Sequence, residues 1–136
     1  MRDIKFRGKR LDSGEWVYGE KVYVVKRSGE THIFLHLEFK SFDHLHKMEV
    51  DAKTVGQCTG LKDKNGKEIY EGDILGSKGN NYLVRYEEDK AQYWGRRTSR
   101  QGFELWRLIA EEWEEGLHLP VIGNKHENPE LLEETT

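Results

Sequence analysis

Cysteine is almost absent: Cys58 is the only one in the chain. A lone thiol excludes an intrachain disulfide and fits a reducing cytoplasm. Long apolar runs are missing too. None approaches the length that spans a membrane, so no membrane partner is expected. The first residues carry charges but no apolar h-region, so no secretory signal is expected. A large excess of one charge sign is also lacking, with 22 Lys and Arg against 25 Asp and Glu. The formal net charge of −3 removes any whole-molecule attraction to nucleic acid. A phosphate-cradling loop is lacking, because Gly76-Ser77-Lys78-Gly79 has neither the Gly-x-x-x-x-Gly-Lys-Ser spacing nor a helix after it. No repeat of fixed period, low-complexity tract or interdomain linker interrupts the chain. Its 136 residues suffice for one core and not two, so residues 1–136 are expected to form a single domain.

What is present is polar but foldable. Charged and hydrophobic residues each make up 35% of the chain, yet an aromatic share of 11%, with four Trp, argues against disorder. The charge is uneven. Arg2, Lys5, Arg7, Lys9 and Arg10 crowd the start, and Arg96, Arg97, Arg100 and Arg107 form a second basic group. Glu111, Glu112, Glu114 and Glu115 precede an acidic tail with Glu127, Glu130, Glu133 and Glu134. A basic patch is therefore compatible with an acidic chain.

Alternation with a period of two dominates the first half. Ile4, Phe6 and Gly8 interleave with Lys5, Arg7 and Lys9, which predicts a half-buried strand with a cationic outer face. Trp16, Tyr18, Val22 and Val24 continue the pattern, with Gly19 a bulge or bend and Lys26-Arg27-Ser28-Gly29 a turn. Ile33, Leu35, Leu37 and Phe39 share one face of the next strand, and His32, Phe34, His36 and Glu38 share the other. Phe42 to Glu49 reads as irregular. Ile74 to Ser77 and Tyr82 to Tyr86 read as a hairpin around Gly79-Asn80-Asn81, and Tyr93 and Trp94 suggest a further strand. Leu105, Ile109 and Trp113, spaced by four, predict a short amphipathic helix near 105–115 that ends at Gly116. Leu119 to Ile122 reads as a last strand. Asn128 then caps, and Pro129 opens, a terminal helical turn.

The most structured signal runs from Val55 to Leu75. Asp63-Lys64-Asn65-Gly66 is a strong hairpin signal because Asn-Gly readily takes positive φ. Glu71-Gly72-Asp73 punctuates the chain again, with Asp73 expected to accept backbone N–H groups. This run resembles the central signature of the YopX family, small proteins carried by bacteriophages and prophages. Ile4-Lys5-Phe6-Arg7-Gly8-Lys9 resembles the family's opening strand, and Gly14-Glu15-Trp16-Val17-Tyr18-Gly19 its second. Val121-Ile122-Gly123-Asn124, followed by Glu127-Asn128-Pro129-Glu130-Leu131-Leu132, resembles its ending. The resemblance implies a single YopX-like domain with a small barrel-like fold, and a location in the cytoplasm of a bacterial host cell. It implies no catalytic residues and no cofactor. Cys58 stands where the family tends to carry Tyr, which points to packing rather than chemistry.

The expected fold class is thus mainly β: a small β-barrel-like domain of several antiparallel strands, one short helix near 105–115 and a C-terminal helical turn. Four constellations remain as candidate sites. His32, His36, His44 and His46, with Asp43 and Cys58, carry zinc-ligand chemistry. They lack a tight ligand spacing, and solvated histidines on a sheet face explain them as well. Cys58 as a nucleophile competes with Cys58 as core filler. Paired carboxylates for acid–base work are offered by Glu71 with Asp73 and by Glu87, Glu88 and Asp89, but the first pair reads as holding a turn and the second group as a solvated loop. The last group interleaves cations and rings, as single-strand binding surfaces do: Arg85, Tyr86, Tyr93, Trp94, Arg96, Arg97, Arg100 and Phe103. Within it, Arg85, Tyr93, Trp94, Arg96, Arg97 and Arg100 are the candidate nucleic-acid contacts. The resulting expectation is a non-enzymatic accessory protein for a protein or nucleic-acid partner, with self-assembly left open. The alternative is a small metal-dependent hydrolase or nuclease using the histidines.

Overall fold

Alternating residues become strands through most of the chain, and every ladder with an assigned register is antiparallel. The structure, a computed structural model, describes residues 5–37, 47–77, 80–88, 92–96, 102–104 and 119–132. The chain divides into two compact units, Met1–Cys58 and Thr59–Thr136.

In the first unit, β1 (Phe6–Lys9), β2 (Trp16–Arg27), β3 (Glu30–Leu37), β4 (Lys47–Val50) and the start of β5 (Gly56–Lys62) lie in the order β4-β3-β2-β1-β5. Ser28 (φ 52°) and Gly29 (φ 81°) form the two-residue loop between β2 and β3, closed by the pair Arg27↔Glu30. Positive φ at both positions is the turn whose twist matches the flanking strands. The bend expected at Gly19 is a bulge, where the β2–β3 register shifts between Gly19 and Lys21. Met48 and Glu49, in a stretch that reads as irregular, are strand residues because they pair with Leu35 and Phe34 of β3. Here ladder hydrogen bonds override weak alternation.

Leu35 and Val50 are buried at the centre of this unit. Gly8 leaves room for Val50, whose Cγ2 lies 3.0 Å from where a Cβ would sit. The end of β1 returns to the β4 edge through the bridge Arg10↔Val50, with Leu11 N–H donating to Glu49 O and Asp51 N–H to Lys9 O. That single bridge is not a ladder. The sheets stay open, and the described strands form no closed barrel. One reversal concerns β1 itself. Arg7, expected on a solvated cationic face, is buried, because Trp16 across the strand pair lies against its guanidinium at 4.6 Å.

In the second unit, β5 continues beside β6 (Glu68–Tyr70). A five-stranded sheet follows, with β7 (Asp73–Ser77), β8 (Asn80–Glu87), β9 (Gln92–Arg96), β10 (Gly102–Glu104) and β11 (Val121–Asn124) in the order β10-β9-β8-β7-β11. Ile69, Leu75, Tyr82, Val84 and Leu119 make its core, with Leu61, Tyr93 and Val121 packed against them. Burying each aliphatic side chain contributes about 1.5–3 kcal/mol, more than a single net hydrogen bond at about 1 kcal/mol, so this cluster leads the stability of the unit. Asn80 and Asn81 are strand residues, since Ser77 already pairs with Asn80. Pro129–Leu132 forms the expected terminal turn, in which Leu131 N–H donates to Asn128 O. The Asn128 side chain faces the other way and accepts from Asn124 N–H. The helix expected near 105–115 lies outside the described residues.

Candidate functional site

Strands β8 and β9 carry most of the basic and aromatic residues singled out by sequence. Their pairs are Leu83↔Arg96, Val84↔Gly95, Arg85↔Trp94, Tyr86↔Tyr93 and Glu87↔Gln92. Directly opposed residues share a face, and neighbours along a strand do not. Arg85, Trp94 and Arg96 therefore lie together on one face. Tyr93 lies on the other with Val84 and packs against the core, and the 43% exposed Tyr86 meets it edge-on at 5.2 Å. Arg97 and Arg100 lie outside the described residues, and Phe103 is placed only as the β10 partner of Gly95.

The Arg85–Trp94–Arg96 face has a defined internal geometry. Arg96 lies over the Trp94 ring, 5.4 Å from its centroid, and its Nε donates to Glu87 Oε1 at 2.7 Å. Arg85 Nε sits 3.7 Å from the same oxygen. Sequence reasoning missed Glu87 by reading it with Glu88 and Asp89 as a solvated loop. It is the last residue of β8, its side chain only 14% exposed. The spacing of Leu83, Arg85 and Glu87 on one strand face was the signal that could have found it.

The histidines fall differently. His32 Nδ1 is 2.7 Å from Glu49 Oε2, and its Nε2 is 3.7 Å from Glu30 Oε2. His36 shares that strand face and meets Tyr23 edge-on. His44, His46 and Asp43 lie outside the described residues. Among the described residues, no group of three or more His, Cys, Asp or Glu is placed to hold a metal ion. Cys58 is buried in β5, its N–H bonded to Lys5 O, in the position of a core filler.

Other polar residues serve the backbone. Asp63 Oδ1 accepts from the N–H groups of Asn65 and Lys67, and Oδ2 from that of Val121. Burial pushes its carboxyl up, but the donors Val121, Lys67 and Asn65 outweigh burial and hold it below the usual carboxylate range. Asp73 Oδ2 accepts from Tyr70 N–H, as the turn reading expects. Asn124 Oδ1 accepts from His126 and Glu127 N–H. Within the N-terminal basic group, Arg10 forks onto Asp12 at 2.8 and 2.6 Å, and this hydrogen bonding lowers the Asp12 carboxyl.

The family whose description is "YopX protein" matches residues 5–133. The chain belongs to the YopX family. No curated protein matches it. This YopX-family chain is also similar to the crystal structure of protein EF1440 from Enterococcus faecalis. The TM-score is 0.54 and the identity 25%, covering 98% of this chain and 100% of that one.

Proposed function

We propose that this YopX-family chain is a non-enzymatic accessory protein, encoded by a phage or prophage, that binds a protein partner in the bacterial cytoplasm. The contact surface is the β8–β9 face that carries Arg85, Trp94 and Arg96. One observation carries the reading: Arg85, Trp94 and Arg96 share one face of β8–β9, with the Arg85 side chain 59% exposed, while Val84 and Tyr93 pack with the core cluster on the other. Arginine and aromatic side chains concentrate binding energy at protein interfaces. A single strand of nucleic acid fits less well. It needs bare rings for stacking and several phosphate contacts. Tyr93 packs on the core, Arg96 lies over Trp94, and the exposed Tyr86 is on the face opposite the arginines. Glu87 offsets part of the positive charge.

The buried polar residues support the non-enzymatic side of the reading. Asp63, Asp73 and Asn124 use their oxygens on backbone donors. Asp63, whose carboxyl these donors hold below the usual range, is a poor proton carrier near neutral pH. The test is recovery of tagged protein from infected cells, with and without nuclease, beside the double variant Arg85→Ala, Arg96→Ala. A protein partner that survives nuclease and is lost with the double variant is the expected result. Recovery that nuclease abolishes, or that the variant leaves unchanged, sinks the reading.

A further inference from the structure

Arg85 and Arg96 leave adjacent strands, yet Arg96 Nε donates to Glu87 Oε1 at 2.7 Å and Arg85 Nε lies 3.7 Å from the same oxygen. The Glu87 side chain is 14% exposed, that of Arg85 59% and that of Arg96 33%. The carboxylate thus lies deeper and the guanidinium groups lie further out. A guanidinium presents five N–H donors in a planar fork, and a contact at Nε leaves terminal amino groups to spare. Among the described residues, neither arginine makes a further ion pair or hydrogen bond. The Arg96 guanidinium carbon lies over the Trp94 ring, 5.4 Å from its centroid.

We infer that Glu87 holds Arg85 and Arg96 as a paired guanidinium fork that receives a carboxylate-bearing segment of the protein partner. This rests on the binding reading above and adds the ligand class and a positioning role for Glu87. Planar bidentate pairing with carboxylate is what such forks offer. A bland alternative makes Glu87 a mere neutraliser. The two accounts give opposite signs for Glu87→Gln. Removing a neutraliser makes the face more positive and tightens an acidic ligand. Removing a positioning residue frees two long side chains, whose ordering then opposes binding.

The experiment is fluorescence anisotropy of the full chain with an oligoglutamate peptide and with a thymidine oligonucleotide of equal charge. Circular dichroism confirms that each variant is folded. The wild-type chain binds the oligoglutamate in a salt-sensitive way, and more tightly than the oligonucleotide. Glu87→Gln weakens this binding by about tenfold. Arg96→Lys, which keeps the charge but not the planar fork, also weakens it. Tighter binding by Glu87→Gln, or full retention by Arg96→Lys, overturns the fork while leaving the binding reading in place. Preference for the oligonucleotide overturns the ligand class. Absence of binding by the wild-type chain overturns the inference, and the partner-recovery experiment then judges the binding reading separately.

Discussion

The backbone N–H of Val121 donates to Asp63 Oδ2 at 2.9 Å, joining residues 58 positions apart. The other oxygen of the same carboxylate closes its own turn, through Asn65 and Lys67. One buried side chain therefore shapes a local hairpin and fixes the start of β11, which pairs with β7 from Val121 to Asn124. The long-range bond ties the turn segment to the ending strand.

Asp63→Asn should destabilise the chain by about 1–3 kcal/mol in urea denaturation at neutral pH. The amide replaces one acceptor oxygen with a donor that faces an N–H group. The pH dependence has a defined sign. Folding lowers the Asp63 pKa, so its contribution is complete above the ordinary carboxylate value of about 3.9 and fades as pH falls through the lower folded value. The stability gap between wild type and Asp63→Asn should narrow in that acid window. A gap that stays constant to the acid limit would refute the assignment.

Gly66→Val tests the turn on backbone grounds alone. Gly66 has φ 81°, and a Cβ there would meet nothing within 4 Å, so packing contributes no penalty. A β-branched residue in this conformation should cost about 1–2 kcal/mol or more. Gly66→Ala should lose less. Equal melting temperatures for wild type and Gly66→Val would remove the left-handed turn from the account.

Much of the fold was legible because alternation is a local property. Ile33, Leu35 and their polar neighbours sort onto two faces by spacing alone, and β3 follows. Chemistry that depends on a partner strand was not legible. Arg7 looks solvated in its own strand, and only the register Lys9↔Trp16 brings the ring that covers it. Tyr93 and Trp94 are adjacent in sequence, so a list of aromatics puts both on one platform. The pair Tyr86↔Tyr93 sends Tyr93 to the core face instead. At Asn65-Gly66, Gly66 alone takes positive φ, and Gly66 N–H donates to Asp63 O. The loop is thus a turn ending in a left-handed glycine rather than the two-residue form the dipeptide suggests. The Asp63 side chain, which engages Asn65 and Lys67, selects that longer form.

Gly19→Ala should be more damaging than its chemistry suggests. A Cβ at this position would run into the carbonyl oxygen of His36, and backbone cannot yield as a flexible side chain does. The bulge between Gly19 and Lys21 would have to open, with loss of ladder bonds between β2 and β3. A cost of about 2 kcal/mol or more is expected in urea denaturation. Hydrogen exchange should show the amides near Leu35 and His36 losing protection first. Unchanged protection there would mean that the close approach is not a constraint.

Ser28→Asn should raise stability. Ser28 is the only non-glycine residue with positive φ among the described residues, at 52°. It occupies the first position of the two-residue loop that joins β2 to β3, ahead of Gly29. Asn tolerates the left-handed region better than Ser, and Asn-Gly is the preferred pair for this loop. The gain should be about 0.5 kcal/mol, a rise of about 2 °C in melting temperature for a domain of this size. Ser28→Val, which strains the same backbone, should move it the other way. The loop is exposed, so neither change carries a packing term that would confuse the comparison. A Ser28→Asn chain that melts below the wild type would show that the loop conformation is not what limits the β2–β3 hairpin.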